Sequence, residues 1–217
     1  MPPRKAARMA TMRHSSTKQR RPEPSPARGH QDPTTREHIV YTSALQFAER
    51  GYRGASLTDV VADLGLTKGA FYYYFADKDA LATEIVDRYT GLFEKALAGA
   101  DGEAELDTLV RQTHELAYLY RSEVVARAGA RLLAEQASAD FPTPLKSWID
   151  HASRLLRTAK RHGRVSAEVD PLRLAQMIVS SFEGIRLMWE SAPGAFDLRA
   201  QIDVLWQLLL PQLRGDA

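Results

Sequence analysis

The amino-acid sequence predicts an all-α protein in which an N-terminal three-helix helix-turn-helix domain precedes a larger C-terminal helical domain. Two observations support this prediction. From Thr35 onward, apolar residues recur at intervals of three and four in successive segments, and glycine, serine, threonine or proline separates these segments. No segment shows the alternation of apolar and polar residues that is typical of a half-buried strand, and no repeat of fixed period occurs.

The first predicted helix begins after a cap at Thr34 or Thr35 and ends at Gly51. Its apolar positions include Ile39, Val40, Leu45 and Phe47. It packs with the next two helices into a small head. A longer helix, from about residue 77 to residue 98, then connects this head to the rest of the chain.

The segment that begins at Ser56 predicts a helix, a tight turn and a short second helix. Ser56 can cap the first helix, because its hydroxyl can accept a hydrogen bond from a backbone N–H of the first turn. Gly65 suits the turn, because glycine enters the left-handed conformation freely, and Thr67 can cap the second helix. The apolar stripe of the first helix consists of Leu57, Val60, Val61 and Leu64.

Five consecutive aromatic residues, from Phe71 to Phe75, decide how the second helix is oriented. An ordinary aromatic core is the simplest interpretation, but five consecutive side chains cannot all face inward on one helix. Phe71 and Phe75 are four apart and should enter the core. The residues left pointing outward are Lys68, Gly69, Tyr72 and Tyr73. Lysine can bind guanine edges or phosphate, and tyrosine offers a hydroxyl and a flat ring, so the pattern favours a DNA-reading helix over a solvated charged helix pair.

This segment resembles the N-terminal domain of the TetR family of bacterial repressors, whose pattern runs approximately I-A-x-x-A-G-V-S-x-G-x-L-Y-x-H-F-x-x-K-x-x-L. The matching residues are Val60, Val61, Leu64, Gly65, Leu66, Thr67, Gly69, Phe71, Tyr72, Tyr74, Phe75, Lys78 and Leu81. The resemblance implies that Lys68, Gly69, Tyr72 and Tyr73 face the major groove of a roughly palindromic operator. It implies that phosphates or the groove edge are held by Ser56, Thr58, Thr67, Tyr74 and Lys78.

Composition narrows the class of protein further. The 217-residue chain contains no cysteine, which excludes disulfides, thiolate catalysis and cysteine–zinc sites. It has no apolar run near the length of a membrane span and no apolar signal-peptide core, so we expect no membrane partner and a cytoplasmic, nucleoid-associated location. No phosphate-binding glycine loop, G-x-S-x-G or H-E-x-x-H motif occurs, so we expect neither an enzyme nor a cofactor or metal site.

Positive charge is concentrated at the N-terminus. Residues 1–30 hold eight Lys and Arg and one acid, so the net charge of +2 divides into +7 in this segment and −5 in the remainder. Proline, serine and glycine without apolar periodicity predict disorder here. The segment is either an arm that contacts phosphates or a minor groove, or an incidental extension, with translation starting at Met9 or Met12. We divide the chain into a basic arm (1–33), a helix-turn-helix DNA-binding head (34–81) and a helical ligand-binding and dimerisation body (82–217).

Five further helices are predicted in the body after Gly102, near residues 104–120, 123–138, 143–162, 171–191 and 197–213. The last two carry broad apolar faces. One face consists of Leu174, Met177, Ile178, Ser181, Phe182 and Ile185, and the other of Ile202, Leu205, Trp206, Leu208, Leu209 and Leu213. Such faces either pack on their own subunit or form the four-helix bundle of a homodimer. The second face covers more than half of its helix, which favours the homodimer.

Trp148 is the residue that suggests a small-molecule site. It shares a stripe with Ala152, Leu155 and Ala159, and two alanines beside a large indole leave space around the ring. A lone tryptophan is more often a pure core residue. The following helices, however, add Phe182, Met188 and Trp189, which can help to line a cavity.

The proline-rich start of this helix, at Pro142 and Pro144, and the later S-S-F-E-G-I-R-L segment are similar to the γ-butyrolactone autoregulator receptors of filamentous actinobacteria. The resemblance implies that Trp148 lies in the signal pocket and that the ligand is a small lactone or butenolide with an alkyl tail. Two alternatives stay open: a TetR-type regulator of a drug or an acyl thioester, and a DNA-binding architectural or interaction factor without an effector.

Overall fold

The computed structural model describes residues 33–99, 102–136, 143–192, 194–195 and 197–214. Within these residues the chain forms nine α-helices and no strand, which confirms the predicted all-α class. The helices are α1 (Pro33–Gly54), α2 (Leu57–Asp63), α3 (Lys68–Tyr74), α4 (Lys78–Leu97), α5 (Glu105–Ser122), α6 (Val124–Gln136), α7 (Thr143–Arg161), α8 (Pro171–Ser191) and α9 (Leu198–Arg214). The predicted basic arm lies, except for Pro33, outside the described residues.

The helix-turn-helix forms through the local signals that the sequence predicts. The Ser56 hydroxyl accepts a hydrogen bond from the N–H of Asp59 at 3.4 Å and so caps α2. The Thr67 hydroxyl accepts from the N–H of Ala70 at 3.1 Å and caps α3. Gly65, with φ 62°, makes the turn between them in the left-handed region.

The regular part of α1 ends at Gly51, as predicted, and a short helical turn follows the kink there up to Gly54. Gly51 has φ 70°, and a Cβ at this position would overlap with the carboxylate of Glu135 in α6. That carboxylate accepts a hydrogen bond from the N–H of Tyr52 at 2.7 Å. On the same face of α6, Arg131 donates to the carbonyl of Ala48 at 2.9 Å. Two side chains of α6 therefore hold the segment that leads into the helix-turn-helix.

The apolar core has two parts, and α4 contributes to both. Its N-terminal half places Leu81 and Ile85 in the head core, and its C-terminal half places Tyr89 and Phe93 in the body core. α6 also extends from body to head, since Leu132 packs in the head core. The position of the head is thus set by two helices that also contact the interior of the body.

A charged network holds α1 against α4. Arg36 makes two hydrogen bonds of 2.8 Å with Glu84, one to each carboxylate oxygen. Arg88 binds Glu84 at 2.7 Å and Glu37 at 2.6 Å. The hydrogen bonds from Arg36 and Arg88 lower the pKa of Glu84 to about 2, so its carboxylate stays charged across the physiological range.

The closest approach of α4 and α6 depends on Gly129. A Cβ at Gly129 would overlap with the Cβ of Tyr89, which is near the helix backbone and has little room to move. Gly129→Ala is therefore expected to lower the free energy of unfolding by about 1–3 kcal/mol through overpacking. Urea denaturation of the two proteins measures this difference.

Gly91→Ala is the matched control for that experiment. Gly91 is exposed on α4, and a Cβ there would meet nothing within 4 Å. The control is expected to raise stability by up to about 1 kcal/mol, because alanine favours a helix more than glycine does. Equal denaturation midpoints for Gly129→Ala and wild type would contradict the close packing of the two helices.

Candidate DNA interface and effector site

The exposed face of α3 contains the four residues predicted to face the major groove. Lys68 and Gly69 are exposed, and Tyr72 and Tyr73 are 55 % and 49 % exposed. A Cβ at Gly69 would have only the Thr67 hydroxyl nearby, at 3.9 Å, so the backbone of α3 is open to close approach by a flat or charged partner. The predicted division of α3 into an apolar and an outward face is confirmed. Its contact with DNA stays a prediction.

Neighbouring aromatic rings orient the tyrosines of α3. Phe71 is 1 % exposed and meets Tyr72 edge to face at 5.5 Å between ring centroids. Tyr73 and Tyr74 meet in the same manner at 5.3 Å. Tyr74 is half-buried and packs against the head core. Rings held in this way lose little further freedom when they contact a partner.

The residues predicted to hold phosphates differ in how available they are. Thr58 is exposed, whereas the hydroxyls of Ser56 and Thr67 already cap helices. Lys78 is half-buried: its Nζ donates to the carbonyl of Ala55 at 2.6 Å and lies 4.5 Å from the centre of the Tyr52 ring. Lys78 therefore ties α4 to the loop before α2. Its contact with phosphate stays a prediction. A substitution of Lys78 would remove this structural contact together with any contact with phosphate.

Five aromatic side chains, which we call the aromatic core, form a closed cycle inside the body. The residues are Tyr89 and Phe93 of α4, Tyr120 of α5, Trp148 of α7 and Phe182 of α8. Trp148 contacts Phe93 at 5.9 Å and Phe182 at 5.2 Å between ring centroids. The cycle closes through Tyr89 and Tyr120, whose rings are 6.2 Å apart. The sequence predicted Trp148 and Phe182 as effector residues. It gave no such prediction for the other three, which come from α4 and α5.

The aromatic core contains polar hydrogens. The hydroxyls of Tyr89 and Tyr120 lie 2.7 Å apart and are buried. Burial raises the pKa of both phenols above the ordinary value, so both keep their protons. The Nε1–H of Trp148 is buried and has no hydrogen-bond partner among the described residues. A buried indole N–H usually has one, so this group is a donor without an acceptor in an apolar interior.

A second polar group lies on the α5 side of α7. The Gln112 amide nitrogen is 2.9 Å from the Nε2 of His151, and the Gln112 oxygen is buried and meets no hydrogen-bond donor in the part of the chain that the structure describes. Burial, and then the charge of Arg154, lower the pKa of His151, so its ring is neutral near pH 7. His151 lies one helical turn from Trp148 on α7, and Gln112 on α5 adds to the indole donor a buried acceptor that has no partner among the described residues.

The four predicted effector residues do not line one cavity. Trp148 and Phe182 are fully buried and in contact. Met188 is 61 % exposed, because six residues along a helix turn it about 120° away from Phe182. Trp189 is half-buried and lines a separate cleft between α1, α6 and α8. The expectation of a shared cavity is corrected: only the first two belong to the aromatic core.

Only part of each face predicted for dimerisation is exposed: Met177 and Leu208 belong to these faces and stay exposed. Leu174, Ile178 and Phe182 of α8 are buried within the subunit, as are Ile202, Trp206 and Leu213 of α9. The apolar side chains that remain exposed on these helices include Leu172, Met177, Leu187, Met188, Val204 and Leu208. The apolar stripe of each helix packs against its own subunit, so a partner would contact the opposite side of the helix.

Two structural searches within the described residues bear on the class of protein. No described helix is both long and apolar enough to cross a membrane. In the same residues, no cluster of three or more histidine, aspartate or glutamate side chains is arranged to hold a metal ion. The candidate sites are therefore the exposed face of α3, the aromatic core and the cleft beside Trp189.

Comparison with curated proteins finds a receptor protein and HTH-type transcriptional repressors among the relatives. The A-factor receptor protein of Streptomyces griseus is 35 % identical over 175 residues, which cover 81 % of this chain. The matched region spans 62 % of that relative, so the chain corresponds to less than two thirds of its length.

Solved structures share the fold. A crystal structure of a γ-butyrolactone receptor, an ArpA-like protein, has a TM-score of 0.70 and 30 % identity over 83 % of this chain and 88 % of that chain. CprB from Streptomyces coelicolor, solved in complex with its biological operator sequence, has a TM-score of 0.69, the same identity and the same coverage. Residues 39–85 match the family model for bacterial regulatory proteins of the tetR family, and residues 103–214 match the tetracyclin repressor-like C-terminal domain. The chain belongs to the TetR family.

Proposed function

We propose that this protein is a homodimeric repressor that binds a roughly palindromic operator and is released by a small γ-butyrolactone-type signal. The observation that carries the ligand assignment is the unpaired indole N–H of Trp148 inside the aromatic core. The similarity to the A-factor receptor and to γ-butyrolactone receptors supports it. Such a repressor acts in the cytoplasm, at the nucleoid.

The chemistry of the aromatic core suits a lactone. A lactone carbonyl is a hydrogen-bond acceptor, and Trp148 supplies the donor that lacks one. The paired hydroxyls of Tyr89 and Tyr120 offer a second donor beside it. An alkyl tail would lie against Phe93 and Phe182, where burial of apolar surface is favourable. The site needs no charged partner and no metal.

The proposed signal travels through helices that reach both sites. Tyr89 and Phe93 belong to α4, whose first turn holds the loop before α2 through Lys78. A ligand that enters the core must bind better to a state with a displaced α4 than to the DNA-binding state, since only differential affinity shifts an equilibrium. A coupling of about 1–3 kcal/mol would be ordinary for such a switch.

The proposed dimer surface is the exposed side of α8 and α9. Met177, Gly184 and Met188 recur at a spacing of seven and four on α8, and a Cβ at Gly184 would meet nothing within 4 Å. Val204 and Leu208, one turn apart, form the exposed apolar part of α9. A two-fold symmetric pair of these helices would form a four-helix bundle.

A gel-shift assay with the upstream region of the gene tests the whole proposal. Addition of a γ-butyrolactone is expected to release the bound DNA, whereas a panel of drugs and acyl-CoA thioesters is not. Release only by a drug or a thioester would support a ligand-responsive repressor but assign it a different class of ligand. No release by any of these compounds would favour an architectural DNA-binding factor.

Lys68→Ala tests the DNA-reading face. The change is expected to weaken operator binding by about 1–3 kcal/mol and to relax the sequence preference, because an exposed cation at the start of α3 is lost. Fluorescence anisotropy with operator and scrambled DNA measures both effects. Lys146→Ala, at an exposed lysine of α7, is the control and should bind like wild type. Unchanged operator affinity for Lys68→Ala would remove this residue from the interface.

A further inference from the structure

A cleft of about 800 Å³ lies between α1, α6 and the end of α8, outside the aromatic core. Its apolar lining includes Leu45, Val124, Ala130 and Trp189, and its cationic lining consists of Arg121, Arg127, Arg131 and Arg186. The volume is in the range of small-molecule sites, which combine apolar walls with a few placed polar groups. Because α1 belongs to the head and α6 and α8 to the body, any occupant contacts both parts.

The deepest arginine of the cleft is already paired. Arg186 is 7 % exposed and binds Glu183 at 2.7 Å and Glu190 at 2.8 Å. Its guanidinium also lies 4.8 Å from the centre of the Tyr120 ring. Burial alone would lower the pKa of Arg186, but the two carboxylates keep it above the ordinary value. Arg186 is thus a fixed part of the wall and not a free anion site.

The remaining arginines leave an excess of positive charge. Arg127 donates to the backbone carbonyl of Tyr120 at 2.6 Å and has no carboxylate partner among the described residues. The carboxylate nearest to Arg121 is that of Asp197, at 4.0 Å. The lining contains two acids: Glu190, which is paired with Arg186, and Glu49, which is exposed at the rim on α1. The guanidinium groups of Arg121 and Arg127 therefore have donors available for an anion.

We propose that this cleft binds a small amphipathic carboxylate, as a second ligand site beside the proposed lactone site. The carboxylate lies against Arg127 and Arg121, and the apolar body of the ligand packs on Trp189 and Leu45. Planar guanidinium groups bind carboxylates through two parallel hydrogen bonds, and a flat indole offers a wall for an alkyl chain or an aromatic ring.

A ligand in the cleft would act on DNA binding. Arg131, which lines the cleft, donates to the carbonyl of Ala48 near the end of α1. On the inner side, the guanidinium of Arg186, which lines the cleft, lies over the ring of Tyr120, which belongs to the aromatic core. Both ligands would then contact opposite sides of one wall. Carboxylate and lactone should change each other's affinity by the same factor, as linkage requires.

Isothermal titration of the full-length protein with decanoate tests the proposal, with decanol as the neutral ligand of equal chain length. Decanoate is expected to bind and decanol to bind about tenfold more weakly or worse, because only the former has a charge for the arginines. Arg127→Gln and Arg121→Gln should each weaken decanoate binding by about tenfold. Arg154→Gln, at an exposed arginine of α7, is the control and should bind decanoate like wild type.

Several outcomes would overturn the second site. Equal affinity for decanoate and decanol would show that binding does not require a charge. Wild-type affinity of both arginine variants for decanoate would show that the ligand binds elsewhere. Loss of decanoate binding in Trp148→Phe would place the carboxylate in the aromatic core. Lactone release in the gel shift is measured separately, so failure of decanoate binding leaves the proposed lactone response intact, and the reverse also holds.

Discussion

Trp148→Ala is expected to bind operator and to resist release by lactone, so that it behaves as a constitutive repressor. The DNA-binding face of α3 is remote from the substitution in the fold, since Trp148 belongs to the body core. Loss of the indole removes both the unpaired donor and the ring contacts with Phe93 and Phe182. The lactone concentration for half-release should rise by about a hundredfold or more. A gel shift titrated with lactone measures it.

Truncation of a fully buried tryptophan also costs about 3–5 kcal/mol of stability, so a gentler variant is needed. Trp148→Phe keeps an aromatic ring in the core and removes only the N–H donor and part of the volume. It should remain folded by circular dichroism and still require about tenfold more lactone. If both variants bind operator and are released at the wild-type lactone concentration, Trp148 is not in the effector site.

Leu208→Glu is expected to give monomers that have lost tight operator binding. Leu208 is 68 % exposed in the subunit, so the change leaves the core of the subunit intact. In the proposed dimer the new carboxylate would be buried in an apolar contact, which is strongly unfavourable without a partner. A monomer reads one half-site and should bind operator about a hundredfold more weakly or worse. Light scattering and anisotropy measure the two effects.

Tyr118→Glu is the matched control for the dimer. Tyr118 is 69 % exposed on α5, so this variant places the same charge at an equally exposed apolar position on a helix that is not part of the proposed dimer surface. It should remain dimeric. Leu205, which the sequence also indicates, is half-buried, and a charge there would disturb the subunit itself. A dimeric Leu208→Glu protein would place the interface elsewhere.

The features that the sequence predicted well depend on local chemistry. Helix caps at Ser56 and Thr67 and the left-handed turn at Gly65 involve hydrogen bonds within a few residues. The outward position of Tyr72 and Tyr73 follows from helical geometry once Phe71 and Phe75 are buried. For these reasons the outward face of α3 could be predicted from the sequence.

The features that the sequence missed join residues that are far apart in the chain. The Tyr89–Tyr120 hydroxyl pair spans 31 residues, and the contact of Lys78 with Ala55 spans 23. A helical pattern shows which face of a helix is apolar, but it does not show which helix covers that face. Thus the aromatic core, the cleft beside Trp189 and the exposed side of α8 all became visible only with the packing of the helices.

Because α4 contributes to both cores, a small rotation at its body end produces a larger displacement at its head end. From Phe93 in the body to Lys78 in the head, the helix is a rigid arm of about 22 Å. A rotation of about 5° at Phe93 would carry Lys78 through about 2 Å, and two subunits moving in opposite senses would double the change between their reading helices. In the proposed switch, a ligand would need only to tilt a ring in the core to change the distance between the two reading helices, which must match the half-site spacing of the operator.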